Sequence, residues 1–94
     1  MKKTKSKCGY VVYETNLTEC VRITDGYGIC NMCGKPNFKL YLIPVLNSAY
    51  CEKCFNDWDE KAIYYKEDLD FESDYVKFFE KRAKERGVEV VYEM

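Results

Sequence analysis

The chain of 94 residues contains no histidine and no long uninterrupted run of apolar residues. The missing histidine excludes a histidine-based catalytic triad, an iron site built from two histidines and a carboxylate, and a catalytic zinc with histidine ligands. Because no apolar run reaches about 18 residues, no transmembrane helix is predicted. The lysine-rich start, residues 1–7, lacks the apolar segment of a secretory signal peptide. We therefore expect a cytoplasmic protein, in which thiols stay reduced.

Net charge is nearly absent as well, because 15 basic residues are balanced by 16 acidic ones. Such a chain is not drawn as a whole onto nucleic acid or a membrane surface. Lysines outnumber arginines twelve to three, which is typical of an AT-rich genome and indicates a low-GC bacterial host or one of its phages. Any interaction driven by charge must be local.

The charge balance hides an acidic segment. Residues 57–80 contain nine acidic side chains and three lysines, a local charge of −6, and the rest of the chain is net positive. One interpretation is a solvated helix face and linker. The other is an acidic surface that engages a larger host protein with a basic surface, with aromatic side chains as anchors. The residues predicted to contact this partner are Tyr64, Tyr65, Glu67, Asp68, Asp70, Glu72 and Asp74.

The length predicts a single domain over residues 1–94, with a core of modest thickness. The order of its patterns predicts an α+β fold with antiparallel β-hairpins and two α-helices around a four-cysteine module. The predicted parts are a flexible basic tail (1–7), a β-hairpin (8–28), the cysteine module (29–65), and a linker, helix and C-terminal strand (66–94).

Two stretches rich in β-branched and aromatic residues predict the hairpin, namely Tyr10–Thr15 and Thr18–Thr24, with Asn16-Leu17 as the turn. Asp25-Gly26 and Gly28 should end its second strand. The pairing of this hairpin would place Cys8 and Cys20 about 16 Å apart, too far for a disulfide. Both are therefore predicted to be small buried side chains.

Helical spacing recurs twice in the second half of the chain. Phe55, Trp58, Ala62 and Tyr65 predict an amphipathic helix over about residues 52–65. A second helix is predicted to begin near Ser73 as its N-cap and to end before Gly87. Residues 88–92 then read as a short strand added to the edge of the hairpin's sheet.

Four of the six cysteines form the motif C-x2-C, seventeen residues, C-x2-C. This spacing is typical of a zinc site, in which Cys30, Cys33, Cys51 and Cys54 would ligate one ion. Four thiolates close a tetrahedron and leave no position for water or substrate, so one structural Zn²⁺ is predicted. The alternatives are two disulfides, a rubredoxin-like iron site and a redox-active C-x2-C pair.

The stretch CNMCGKPNFKLYLIPVLNSAYCEKCFNDW resembles a treble-clef zinc finger with GATA-type spacing, over about residues 29–65. The resemblance implies a cysteine knuckle, a hairpin, and a second cysteine pair on the first turn of a helix. A GATA finger continues into basic residues that reach DNA, whereas this helix continues Asn56-Asp57-Trp58-Asp59-Glu60, which phosphates would repel. A protein partner is therefore favoured over DNA.

In overall make-up the chain resembles small lysine- and tyrosine-rich zinc proteins of phages, a class that includes anti-CRISPR inhibitors. This resemblance implies a non-enzymatic, zinc-stabilised module that binds and inhibits a larger host nucleoprotein such as a CRISPR-Cas effector. No enzymatic activity is predicted, because the paired carboxylates lie on a polar connector and no nucleophile motif is present. The alternative is a nucleic-acid-binding regulator that uses Lys77, Lys81, Lys84 and Arg86 of the last helix.

Overall fold

A computed structural model describes residues 1–25 and 28–92 of the chain. Within these residues it contains five strands and three α-helices. In chain order they are β1 (Lys2–Lys5), β2 (Val11–Asn16), α1 (Leu17–Thr24), β3 (Lys39–Ile43), β4 (Ser48–Cys51), α2 (Glu52–Lys61), α3 (Leu69–Glu85) and β5 (Val91–Tyr92). Single 3₁₀ turns at Pro44–Leu46 and Lys66–Asp68 precede β4 and α3. The predicted α+β class is confirmed, with one helix more than expected.

The strands form one mixed sheet in the order β4-β3-β2-β1-β5. Neighbouring strands are antiparallel except for β1 and β5, which run parallel with Lys2 opposite Val91. The hairpin expected between the two cysteine pairs is confirmed as β3 and β4, which carry the chain from the first pair to the second. The sheet therefore brings two distant parts of the cysteine motif together.

Both faces of the sheet are covered, as β3 shows most clearly. Because side chains alternate along a strand, Leu40 and Leu42 face one core and Tyr41 and Ile43 face the other. The first core lies under α1 and α3, and the second lies under α2 beside the cysteines. Among the described helices, none combines the length and apolar character needed to cross a membrane.

The prediction of a flexible tail over residues 1–7 is wrong. Lys2–Lys5 forms β1 and pairs with β2. The charge of Lys3 is neutralised at 2.7 Å by Glu80 on α3, and its ammonium lies 5.1 Å from the ring centre of Tyr92. Lysines in a strand are acceptable here because the long side chain covers apolar surface while its charge meets a carboxylate.

The predicted hairpin within residues 8–28 is also wrong in its second half. The strand at Val11–Asn16 exists, but its partners are β1 and β3, and Leu17–Thr24 is a helix. Asn16 is the N-cap: its side chain accepts from the Glu19 N–H, and the Glu19 carboxylate accepts from the Asn16 N–H. This capping box was the sequence signal that outweighed the β-branched composition. Gly26, predicted to end the second strand, lies outside the described residues.

The two cysteines of this region differ in their environment. Cys20 is fully buried on α1, as predicted, and its burial raises the pKa of its thiol. Cys8 is only half-buried in the β1–β2 loop, with its Sγ 3.5 Å from the Ser6 hydroxyl. The strand register from which the distance between these two cysteines was predicted does not exist. Neither residue forms a disulfide in the structure.

The helix boundaries differ from the predicted ones by about one turn. α2 ends at Lys61, and α3 begins at Leu69 rather than near Ser73. The 3₁₀ turn runs directly into α3, because the Asp68 carboxylate accepts a hydrogen bond from the Tyr10 hydroxyl at 2.8 Å and fixes the chain there. The predicted end is correct: Gly87 has φ +72°, and the Val88 N–H donates to the Ala83 carbonyl as in a Schellman motif.

Candidate metal centre

The side chains of Cys30, Cys33, Cys51 and Cys54 converge at one point. Their Sγ atoms all lie within 4.8 Å of one another, and the Cys33 and Cys51 sulfurs are 3.9 Å apart. A zinc–sulfur distance of about 2.3 Å gives sulfur–sulfur edges of ~3.8 Å in a regular tetrahedron, whereas a disulfide requires about 2.05 Å. The sulfurs are therefore spaced for a shared metal ion.

The first cysteine pair lies on a tight turn. The Gly34 N–H donates to the Cys30 carbonyl at 2.8 Å, and Gly34 adopts φ +72°, which is open to glycine without steric cost. The Cys30 N–H donates to the Lys35 carbonyl at 3.0 Å and closes the loop. The Cys33 N–H lies 3.5 Å from the Cys30 sulfur as a further donor. The turn thus aims backbone donors at the sulfurs.

The second pair lies where a strand becomes a helix. Cys51 ends β4 and is the N-cap of α2, and Cys54 lies in the first turn of that helix. The N-terminus of a helix carries partial positive charge, which would stabilise metal-bound thiolates at this position. The Phe55 ring stacks on Tyr41 of β3 with centroids 4.2 Å apart, which fixes α2 against the sheet.

Asn31 joins the two halves of the centre, and sequence reasoning did not identify it. Its N–H donates to the Ala49 carbonyl at 2.8 Å, and its Oδ1 accepts from the Ala49 N–H at 2.6 Å. These bonds hold the first knuckle against β4, two residues before Cys51. An asparagine between two ligands belongs to no periodic pattern, so no sequence signal marked it.

The pKa values of two of the four thiols, Cys30 and Cys54, are shifted in opposite directions. Burial raises the pKa of Cys30, but hydrogen bonds from the N–H groups of Cys33, Cys51 and Met32 outweigh it and lower the pKa to about 6. Desolvation and the neighbouring thiols raise the pKa of Cys54 to about 12. The backbone hydrogen bonds therefore favour ionisation of Cys30 over that of Cys54, and a bound cation would displace the remaining protons.

The donor set determines what the site can hold. Four thiolates suit zinc and also iron, and they leave no open coordination position for a substrate. The cluster could thus hold a metal ion such as zinc, in agreement with the ligand set predicted from the sequence.

The predicted partner-binding residues do not share one environment. Glu72 is buried, with 7% of its surface exposed, and its carboxylate accepts from the Val11 N–H at 2.9 Å. Asp68 is turned toward Tyr10. The assignment of Glu72 to a contact surface is therefore corrected, because its carboxylate is buried and hydrogen-bonded inside the fold. Asp68 is only half-buried, and its place in a contact surface stays a prediction. The exposed members of the set are Tyr64, Tyr65, Glu67, Asp70 and Asp74.

Tyr10 organises the segment that carries these residues. Its hydroxyl donates to the Asp68 carboxylate and accepts from the Tyr65 N–H at 2.9 Å. Its ring contacts Tyr64 with centroids 5.0 Å apart. Tyr64 and Tyr65 are thus exposed on a segment that the buried Tyr10 holds in place.

Comparison with known proteins gives no related site against which this geometry can be set. No family model, curated protein or solved structure matches the chain. The centre is therefore defined by its own sulfur distances, by the turn around Gly34 and by the start of α2. On these grounds it is a four-cysteine site able to hold a metal ion such as zinc.

Proposed function

We propose that the protein is a non-enzymatic protein-interaction module stabilised by one structural zinc ion at Cys30, Cys33, Cys51 and Cys54. The observation that supports the metal site in this proposal is the convergence of four Sγ atoms within 4.8 Å of one another. The order of knuckle, β3–β4 hairpin and helix-borne second pair supports a treble-clef arrangement. Residues 28–38 contain neither helix nor strand beyond one isolated bridge, Ile29 to Pro36, so a bound ion would reinforce the hydrogen bonds that hold this segment.

Bound metal per chain tests this part directly. The protein is purified from cells supplied with both zinc and iron, and its metal content is measured by mass spectrometry. We expect one zinc ion per chain, lost in Cys33→Ser and retained in Cys8→Ser, a cysteine outside the cluster. Recovery of iron would contradict the zinc assignment, and a metal-free protein would contradict the site.

The support for a binding role comes from the exposed carboxylates. Among the described residues, every buried side-chain nitrogen and oxygen has a hydrogen-bond partner. The surface, by contrast, exposes carboxylates at Glu67, Asp70 and Asp74, none of which pairs with a cation in residues 1–25 or 28–92. Exposed carboxylates without a paired cation suit a partner with a basic surface.

The partner in this proposal is a large host nucleoprotein, with the protein acting as a phage-borne inhibitor of a CRISPR-Cas effector. The support is chemical: exposed carboxylates beside Tyr64 and Tyr65 can occupy a basic groove that otherwise holds phosphates. Such binding should weaken as salt rises, because it depends on charge.

DNA cleavage by a panel of purified guide-loaded effectors tests the inhibitor role. We expect the protein to inhibit at least one effector, and the double reversal Glu67→Lys, Asp70→Lys to abolish that inhibition. The matched control reverses two exposed acids outside residues 57–80, Glu85→Lys and Glu89→Lys. Uninhibited cleavage throughout the panel, or full inhibition by the first variant, would count against this role and leave the metal result untouched.

One observation favours a nucleic-acid-binding alternative. Phe38 is 87% exposed and lies between Lys35 and Lys39 in the chain, which suits stacking on an unpaired base. The last helix has fewer cations available for phosphate contacts than its sequence suggested, because Arg86 hydrogen-bonds Asp25. A gel shift of single-stranded DNA at low salt, lost at high salt and in Phe38→Ser, would support this alternative. The absence of a shift at low salt would remove it.

A further inference from the structure

A cavity of about 320 Å³ lies between the end of α2, the 3₁₀ turn before β4 and the segment that leads to α3. Its aliphatic lining consists of Val45, Leu46, Ala62 and Ile63. Small-molecule sites in proteins start at about 300 Å³ and are mostly apolar, with a few convergent polar groups. This cavity, which we call the Trp58 cavity, therefore has room for a small molecule with an apolar body.

Three aromatic side chains from different parts of the chain also line the Trp58 cavity. Tyr10 precedes β2, Trp58 belongs to α2, and Tyr65 follows α2. The ring centroids of Tyr10 and Trp58 are 6.1 Å apart. The face of an aromatic ring carries negative charge density, so tryptophan and tyrosine rings attract an organic cation within about 6 Å. The aromatic lining therefore suits a cationic group as well as an apolar one.

One carboxylate completes the lining. Among the described residues, Asp68 is the only charged one that lines the cavity. Its Oδ2 accepts the hydrogen bond from the Tyr10 hydroxyl at 2.8 Å, and its Oδ1 has no hydrogen-bond partner within residues 1–25 and 28–92. No cation in the same ranges pairs with it. One oxygen of Asp68 is thus free to accept from a ligand.

The charges around the cavity do not cancel this carboxylate. Lys61 and Lys66 flank the lining segment in the chain, but neither lines the cavity. The same holds for Lys7, whose N–H donates to Asp59 on α2. Residues 57–68 contain five acidic side chains against two lysines. An anion would therefore be repelled, and a neutral molecule would leave the carboxylate without a counter-charge.

The Trp58 cavity is held in shape by hydrogen bonds within the fold. Tyr10 bonds through one hydroxyl to both Asp68 and the Tyr65 N–H, so three lining residues are fixed to one another. The Ala62 N–H donates to the Trp58 carbonyl at 2.8 Å where α2 ends. A ligand that enters a preformed site loses less binding energy to the ordering of side chains.

We propose that the Trp58 cavity binds a small organic ammonium ion with an apolar body. The ammonium group donates a hydrogen bond to Asp68 Oδ1 and lies against the aromatic rings, and the apolar body contacts the aliphatic lining. This site goes beyond the function proposed above, because none of the four clustered cysteines lines the cavity.

Fluorescence titration of the full chain tests the proposal, because Trp58 is its only tryptophan. The probes have the same ring and similar size: cyclohexylmethylamine, which is protonated at neutral pH, the neutral cyclohexylmethanol, and the anion cyclohexanecarboxylate. Each is titrated at about 0.15 M salt, which screens non-specific attraction. We expect saturable binding of the ammonium in the millimolar range, binding of the alcohol about tenfold weaker, and no binding of the anion.

Two variants locate the binding. Asp68→Asn keeps an acceptor for Tyr10 but removes the charge, so it should weaken binding of the ammonium about tenfold and leave that of the alcohol unchanged. The matched control is Asp70→Asn, an exposed acid outside the cavity, which should bind as the natural chain does. Ala62→Leu fills the cavity and should block both probes. Circular dichroism checks that each variant is folded, and the Asp68 and Asp70 variants decide alone if Ala62→Leu does not fold.

Each contrary result overturns the proposal. Equal affinity for the ammonium and the alcohol, or unchanged affinity of Asp68→Asn for the ammonium, would refute recognition of the charge. Equal losses in Asp68→Asn and Asp70→Asn would show attraction to general surface charge only. No response of Trp58 to the ammonium would refute the site itself, because a ligand in the cavity lies against that ring. Metal content and effector cleavage decide the proposed function separately.

Discussion

At the scale of single residues, Asn31 does the most to define the metal centre without being a ligand. Its two hydrogen bonds to Ala49 occupy the outer edge of β4, where strand N–H and C=O groups would otherwise be unpaired. The first knuckle is thereby attached to the strand that ends at Cys51. The geometry of the ligands depends on this attachment, because residues 28–38 have little other backbone pairing.

Replacing Asn31 should therefore weaken the metal site without removing a sulfur. We expect Asn31→Ala to lower metal affinity about tenfold, at the low end of the range for residues that orient ligands. Competition with a chromophoric chelator measures this, and Asn56→Ala on the exposed face of α2 is the control. Equal affinity in the two variants would show that the knuckle is positioned by the metal alone.

A second residue-scale prediction concerns Glu80, which joins three elements. Desolvation raises its pKa, but hydrogen bonds from Lys3, Tyr13 and Tyr92 outweigh it and hold the pKa below the ordinary value. A carboxylate with a lowered folded-state pKa adds stability above its unfolded pKa, and that stability is lost as pH falls through the folded value. Glu80→Gln should therefore cost about 1–2 kcal/mol at pH 7 and progressively less below about pH 4. Urea unfolding at several pH values measures this, and a pH-independent difference would contradict it.

At the scale of elements, the capping box converts a strand-like sequence into α1. The helix has only eight residues, too few to be stable in isolation. It persists because Asn16 and Glu19 satisfy each other's backbone N–H groups and because Cys20 and Ile23 are buried. Capping and burial together outweigh the β propensity of Val21, Ile23 and Thr24.

Removing the cap should loosen this helix. We expect Asn16→Ala to lower the free energy of unfolding by about 1 kcal/mol, because the Glu19 N–H loses its acceptor. Thr18→Ala, an exposed position in the same turn, is the control and should change stability by less than about 0.5 kcal/mol. Denaturant unfolding of both proteins measures the difference, and similar losses would mean that burial alone maintains α1.

At the scale of the whole molecule, the sheet separates a core under α1 and α3 from one that includes two of the four clustered cysteines. The second core contains Cys30 and Cys51 beside Tyr41, Ile43 and Phe55. A metal ion bound there would connect the loop after α1 to the start of α2. Losing it would therefore disturb one entire face of the sheet.

Removing the metal with a chelator should lower the thermal stability of the protein. Structural zinc contributes on the order of 10 kcal/mol to folding, comparable with the whole stability of a small domain. We expect a strong chelator at neutral pH to lower the melting temperature sharply or to unfold the chain. Restoring zinc should reverse the change. An unaltered melting curve after verified metal removal would show that the two cores suffice.

Sequence by itself determined the four cysteines that cluster, the β3–β4 hairpin and the end of α3, because each depends on local chemistry. Cysteine spacing sets which sulfurs can meet, and Gly87 can adopt the left-handed conformation that ends a helix. Tertiary structure alone decided the rest. Lys2–Lys5 became a strand because β2 and β5 offered partners on both sides, and Glu72 was buried because the Val11 N–H needed an acceptor. Partners from distant parts of the chain leave no trace in local composition, so folding alone decides which acidic side chains remain exposed.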